Sequence, residues 1–192
     1  MQMDMSILLY LHWLYTMKKQ LFVISIIITT LIVFLFVPST KALVITNRKK
    51  QNERIISIDG YRKGFIISYT HSVNKGRVHD FYKSENNHLE LYQTQFVSYG
   101  AGIPEPYETP GAVFEVTENG YFIKNLNRKL PKFIMAVGVI ADHSIIIGDF
   151  ISDSGSDKSN EIFLTEYFLP QTSLVFEIKR VSLLDCMLSK KI

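Results

Sequence analysis

The chain falls into two hydrophobic regimes. Residues 21–37 run for seventeen positions without a charge, preceded by Lys18 and Lys19 and followed by Pro38, Ser39, Thr40, Lys41 and Ala42. At about 1.5 Å per residue this makes a helix of roughly 25 Å, just short of a typical hydrocarbon core. Positive residues followed by an apolar run is the order of a bacterial export signal. The segment reads either as a retained anchor or as a signal cut after Ala42, and both readings deliver the rest of the chain across a membrane. The basic residues Lys41, Arg48, Lys49 and Lys50 on its far side oppose that orientation under the positive-inside rule. Residues 1–16 fit the export plan badly and read as an upstream extension, with translation expected to start at Met17.

Beyond residue 50 the pattern changes to short β-branched and aromatic runs broken by turn residues. Arg54 to Ile58 ends at Asp59 and Gly60, and a second run, residues 64–70, leads into Asn74, Lys75 and Gly76. Residues 77–83 alternate, with Val78, Asp80 and Tyr82 on one face and His79 and Phe81 on the other. Residues 88–98 alternate in the same way. Residues 103–111 carry Pro104, Pro106 and Pro110 and cannot form a ladder strand. Glu118, Asn119 and Gly120 form the best hairpin signal, between runs 112–117 and 121–125. Further apolar runs cover 133–140 and 144–151, a flexible loop is expected over 152–160, and 161–169 reads as strand or short helix. Residues 173–181 alternate as a closing strand does. The expectation is an all-β fold: an antiparallel sandwich or barrel of about nine strands, preceded by one hydrophobic helix.

Composition narrows the function. The 192 residues carry a formal charge of +3. Three of the 21 Lys and Arg and one of the 18 Asp and Glu precede residue 43, which leaves the delivered part near neutrality. With no basic stripe interleaved with aromatics, a nucleic-acid partner is not expected. The cluster Arg48, Lys49 and Lys50 reads as a solvated linker or as a contact with anionic headgroups. A lone cysteine, Cys186, excludes an internal disulfide and a CxxC site, and reads as a small buried hydrophobe.

Polar residues in strand-like context are the candidates for a site. Ser68, Thr70, His71, Ser72, Asn74 and Lys75 end an apolar strand, and Arg77 and His79 open the next. His143 opens a later one. Two or three His with a carboxylate can build a metal site, but no HxH or HExxH spacing is present. Neither Ser72 nor Ser98 sits in a GxSxG elbow. Gly100 and Gly102 lack the strand-to-helix context of a phosphate cradle and read as a sharp turn. No catalytic residue, metal or cofactor is expected.

Read together, Phe65, Ser68, Tyr69, Thr70, His71, Ser72, Val73 and Lys75, then Phe96, Val97, Ser98, Tyr99, Gly100, Ala101, Gly102, Ile103 and Pro104, then Glu118 to Tyr121, then Val137, Gly138 and His143, resemble the DUF1850 family. The resemblance spans roughly residues 55–180. It implies a small exported or membrane-anchored bacterial protein, often encoded beside the fused permease of TAXI-type TRAP transporters, and hence an accessory of solute uptake. The signature maps onto His71, Ser72, Lys75, Gly100, Gly102 and His143. Where the family tends to carry a carboxylate pair, this chain has His79 and Asp80.

The expected organisation is an extension over 1–16, signal or anchor over 17–42, a linker over 43–53 and a β-rich domain over 54–192. The leading expectation is a non-enzymatic accessory or interaction module outside the cytoplasm, with the membrane and a TRAP permease as partners. The alternative is a carrier of a small anionic ligand such as an organic acid, bound by His71, Ser72, Asn74, Lys75, Arg77, Gly100, Gly102 and His143. A His-based metal-dependent hydrolase is the third reading.

Overall fold

The computed structural model describes residues 5–98, 109–118, 120–148, 161–190 and 192. It opens with helix α1 (Met5–Phe36), apolar around its whole circumference and unburied by the rest of the chain. Lys18 and Lys19 divide it, so its longer uncharged part is its last four to five turns. Residues 5–16 continue the same helix. By length and composition α1 can cross a membrane, as an anchor or as a signal sequence.

Eleven strands follow among the described residues, in two antiparallel sheets. Sheet A holds β2 (Arg54–Ser57), β1 (Thr40–Asn47), β11 (Ser173–Val181) and β8 (Lys132–Ala136), in that order. Sheet B runs β10 (Glu161–Phe163), β9 (Ser144–Ile147), β3 (Phe65–Thr70), β4 (Arg77–Glu85), β5 (His88–Phe96), β7 (Gly120–Leu130) and β6 (Val113–Thr117). The sheets pack face to face, and no closed barrel forms among the described residues. The expected all-β sandwich is therefore the observed architecture.

The core is made by alternation. Leu43 and Ile45 of β1, Leu174, Phe176 and Ile178 of β11, and Phe65 and Ile67 of β3 point between the sheets and are buried. Two cross-strand pairs meet there: Phe65 opposite Tyr82 in sheet B and Phe133 opposite Phe176 in sheet A. Their rings stack in a closed set, Phe65–Tyr82 at 5.1 Å, Tyr82–Phe133 at 4.8 Å, Phe133–Phe176 at 4.5 Å and Phe65–Phe176 at 6.5 Å. Offset aromatic contacts of this kind add to the stabilisation from burial alone and fasten one sheet to the other.

Three expectations change. The linker over 43–53 is instead, through Asn47, the body of β1, paired with β11 on one side and β2 on the other. Its residues Ala42 to Ile45 are all buried because a second small cluster covers the outer face. There Ala42, Val44, Ile56 and Val181 meet Cys186 of helix α3 (Leu183–Leu188). A strand covered on both faces loses the alternation that marks strands in sequence. A cut after Ala42 would remove Thr40, Lys41 and Ala42, which pair with Val181, Arg180 and Lys179.

Asp59 and Gly60 form no tight turn. The Gly60 N–H donates to the Ser57 hydroxyl at 3.0 Å and caps a short helix, α2 (Ile58–Arg62). The basic cluster Arg48–Lys50 moves too. It follows the far end of β1, an eight-residue strand that carries it about 25 Å from the helix. Residues 161–169 divide between strand β10 and a 3-10 turn, Leu164–Glu166. The loop expected over 152–160 lies outside the described residues.

Phe176→Ala should lower the stability of the full chain by about 3–5 kcal/mol, as large-to-small changes at buried rings do. Val116→Ala, at an exposed edge position, should change it by less than about 0.5 kcal/mol. Equilibrium denaturation in mild detergent measures both, and similar effects at the two sites would contradict the assignment of the aromatic set as the bridge between sheets.

Candidate functional site

The predicted site residues that the structure describes lie at one end of sheet B. Strand β4 runs from Arg77 to Glu85, and the carbonyl of Asn86, just beyond it, accepts from Lys41 Nζ at 3.1 Å. Lys41 lies five residues after α1, so the β4–β5 hairpin is on the helix side. The turn before Arg77 is then about 27 Å away, at the far end of nine residues of strand. His143, immediately before β9, lies at that same far end, because Ser144 pairs with Ser68. So does the β6–β7 hairpin, where Thr117 pairs with Gly120 and Tyr121 with Phe96. Asn119 of that hairpin lies outside the described residues.

Each polar residue of the turn has a local partner. His71 Nδ1 accepts from the backbone N–H of Val73 at 3.3 Å and of Asn74 at 3.4 Å. Asn74 donates to the Ser98 carbonyl at 2.7 Å and accepts from the Gly76 N–H at 2.9 Å, tying the turn to the end of β5. Lys75 takes a positive φ of 59° and donates from Nζ to the Ser72 carbonyl at 2.7 Å. Gly76 is required by proximity: a Cβ there would stand 2.4 Å from Val97. His143 organises the neighbouring loop, its Nδ1 accepting from the Gly138 N–H at 3.0 Å while its ring stacks on Tyr69 at 5.7 Å. Burial, then the nearby Arg77 guanidinium, hold its pKa below the ordinary value, which favours the neutral ring this acceptor role needs. The Thr70 N–H to Ala141 carbonyl bond, 2.6 Å, joins the two loops.

Arg77 leaves this turn and acts on the outer face of sheet B. Its guanidinium reaches the Asp142 carbonyl at 2.8 Å, the Ser144 hydroxyl at 2.8 Å and Glu161 at 2.7 Å. Ser144 also hydrogen-bonds Glu161. Burial opposes ionisation of Glu161, but the Ser144 hydroxyl and Arg77 outweigh it and hold the carboxyl below its usual range. Beside them the Ser68 hydroxyl and His79 Nδ1 stand 2.6 Å apart. His79 therefore faces Ser68 across the ladder. Glu161 went unnoticed in the sequence because it is eighty-four positions from Arg77.

A second polar group lies between the sheets. Asp80 points inward with Val78 and Tyr82, accepts from the Thr94 hydroxyl at 2.7 Å and is hydrogen-bonded by Tyr69. Burial pushes its carboxyl up from 3.8 to about 6, against the pull of those two hydroxyls and of Arg128. Burial likewise raises Tyr69 and Tyr82. Among the described residues no group of three or more His, Cys, Asp or Glu is placed to hold a metal. A cleft of about 500 Å³ opens at the edge of sheet A, between residues 51–54, Tyr167, Phe168 and residues 188–190, away from every predicted site residue. Gly100 and Gly102 lie outside the described residues.

The raised Asp80 carboxyl makes the fold favour the protonated acid. Its contribution is complete below the ordinary value of 3.8 and is lost as the pH rises through about 6. Asp80→Asn should therefore gain on the wild type with increasing pH, by up to about 3 kcal/mol at pH ~8. Denaturation at several pH values measures this, and a difference that stays constant with pH would contradict it.

Comparison with known proteins finds a family model similar to part of this chain. The family model described as Domain of unknown function (DUF1850) matches residues 65–150. The match takes in β3 to β9, and with them the far-end turn, the Asp80 cluster and the His143 loop. It is shorter than the resemblance over 55–180, and leaves α1, β1, β2, β10 and β11 outside. No curated protein and no solved structure matches the chain. Over residues 65–150 the chain is similar to the DUF1850 family.

Proposed function

We propose that this chain is a membrane-tethered interaction module, held outside the cytoplasm by α1 and acting through contact at its far end, without chemistry of its own. The observation that carries this reading is how the signature residues are used. His71, Asn74, Lys75 and His143 hold loop backbone in place, and the tips of those loops then present Val73, Val139 and Ile140 to solvent at 75%, 65% and 74% exposure. Val97, beside Gly76, adds to the same surface. Scattered surface apolar residues are ordinary, but four on adjoining, hydrogen-bonded loops form a patch of the kind that docks proteins.

The partner implied by the family resemblance is a component of a TAXI-type TRAP solute-uptake system. The permease can meet α1 within the bilayer, while a subunit outside it can reach the apolar tips. A small anionic ligand gains less support, because Arg77 is already engaged with Glu161, Ser144 and the Asp142 carbonyl.

Pull-down of the tagged full chain from native membranes in mild detergent tests the reading. The wild type should retain a transporter component, and the double variant Val139→Asp, Ile140→Asp should lose at least about tenfold of it, the weakening expected when an apolar anchor of roughly 1.4 kcal/mol is removed. Denaturation midpoints of the two proteins should agree, since both side chains are exposed. Absence of any transporter component, or full retention by the double variant, would contradict the proposal.

A further inference from the structure

One stretch of the far end hangs on a single titratable ring. Val137, fully buried, opens the loop that leads to β9. Its N–H donates to the Thr172 carbonyl at 2.9 Å, and its carbonyl accepts from the Gln171 N–H at 2.7 Å. The other end of the loop is held as firmly. The Ala141 carbonyl accepts from the Thr70 N–H at 2.6 Å, and the His143 carbonyl accepts from the Leu164 N–H at 2.9 Å. Arg77 adds a bond to the Asp142 carbonyl at 2.8 Å. Between these anchors lie Gly138, Val139 and Ile140. Among the described residues these three make one hydrogen bond, from the Gly138 N–H to His143 Nδ1 at 3.0 Å.

The loop is fitted closely to that ring. A Cβ on Gly138 would stand 2.8 Å from the Ala141 Cβ and 3.1 Å from His143 Cε1, so glycine is what lets the chain lie on the imidazole. The groups that face His143 are Tyr69 from β3, Arg77 from β4 and Asp142 in its own loop. Arg77 is itself paired with Glu161 of β10, and the Tyr69 hydroxyl donates to Asp80 between the sheets. Only a neutral imidazole has a lone pair at Nδ1 for the Gly138 N–H. The imidazolium carries hydrogen on both nitrogens and would set donor against donor. Burial, then Arg77, disfavour the charged ring in this place more than Asp142 favours it. A ring that takes up a proton therefore gains by leaving the contact.

We propose that His143 is an acid-sensitive latch on the docking surface: neutral, it holds the tip that presents Val139 and Ile140, and protonated, it frees the tip and weakens the contact with the partner. This rests on the far end being an interaction surface. The pH window follows from linkage. In the freed loop the ring regains its ordinary value of 6.5, which lies above that of the latched ring. Release is therefore driven below pH 6.5, and the ratio of freed to latched loop rises by up to about tenfold per pH unit. Asp80, on the other side of Tyr69, works in the opposite sense. Its protonation, centred at about 6, favours the fold as the pH falls. The sandwich thus gains from Asp80 over the range in which the tip is freed.

The test uses the full chain in mild detergent with Cys186→Ser and a nitroxide spin label at Ile140→Cys. Between about pH 7.5 and about pH 5.5 its mobile component should grow several-fold, while a label at the exposed edge position Val116→Cys stays unchanged. His143→Asn keeps an acceptor where Nδ1 stands but does not titrate, and should hold the high-pH spectrum throughout. His143→Ala should show the mobile component throughout. Pull-down of the unlabelled chain from native membranes at the two pH values reads the contact separately. The wild type should lose the transporter component several-fold at the lower pH, and His143→Asn should retain it at both. A label whose mobility ignores pH, or changes equally in His143→Asn, overturns the latch and leaves the interaction reading standing. A tip that is freed with no loss of the component overturns the regulation. No component retained at either pH overturns the interaction reading and the regulation together.

Discussion

The pairing of β1 on both its edges is the constraint on which the rest depends. A strand bonded over eight residues to β11 and over four to β2 cannot swing relative to the sandwich. It begins four residues after a helix long and apolar enough to cross a bilayer. Helix and domain are thereby joined through three residues, 37–39, to a strand fixed on both edges. Everything at the start of β1 is held near the end of α1, and everything past the end of β3 is held a strand's length away. The two ends of the molecule are given different surroundings by this geometry alone.

Between them the sandwich is fastened by side chains of two kinds. Phe65, Tyr82, Phe133 and Phe176 join the sheets through apolar area and ring stacking. Polar clusters then fix detail that apolar packing leaves loose. Asp80 inside the sandwich engages hydroxyls on the strands to either side, and Arg77 outside it gathers the three-residue strand β10 through Glu161. A buried acid with only hydroxyl donors is a cost at neutral pH. Asp80 lies within the stretch similar to the DUF1850 model, whereas Glu161 falls outside it.

Much of this was legible along the chain, for physical reasons that differ by element. Strands with one face against the core alternate, and so β4, β5 and β11 were readable, as was the inward side of β4 with Val78, Asp80 and Tyr82, while β3, buried on both faces, was readable only from its aromatic and β-branched run. The hairpin at Gly120 was readable from its Asn-Gly pair. Strand β1 was not, because α3 buries its second face and erases the alternation, leaving an apolar run next to a helix that looked like its tail. Helix α2 was hidden for another reason: Asp59 and Gly60 suit a turn, and only the Ser57 cap decides otherwise. Of the signature positions, His71, Ser72, Lys75 and His143 lie at one end of sheet B. Their roles were not legible, because whether His71 or Lys75 is available to a ligand depends on which backbone groups the turn brings within reach. Arg77 and Glu161 meet only through the fold.

The central claim of the proposed function is that the domain stands on α1 as a membrane anchor, with its far-end loops held away from the bilayer. Energy transfer from a donor at Ile140→Cys to an acceptor dissolved in the bilayer surface of reconstituted vesicles tests this most directly, because it reads the height of the far-end loops. The account predicts a single height of at least about 25 Å, set by the length of β4 at 3.3 Å per residue and unchanged by salt. A broad spread of heights, or loops lying at the lipid surface, would contradict it.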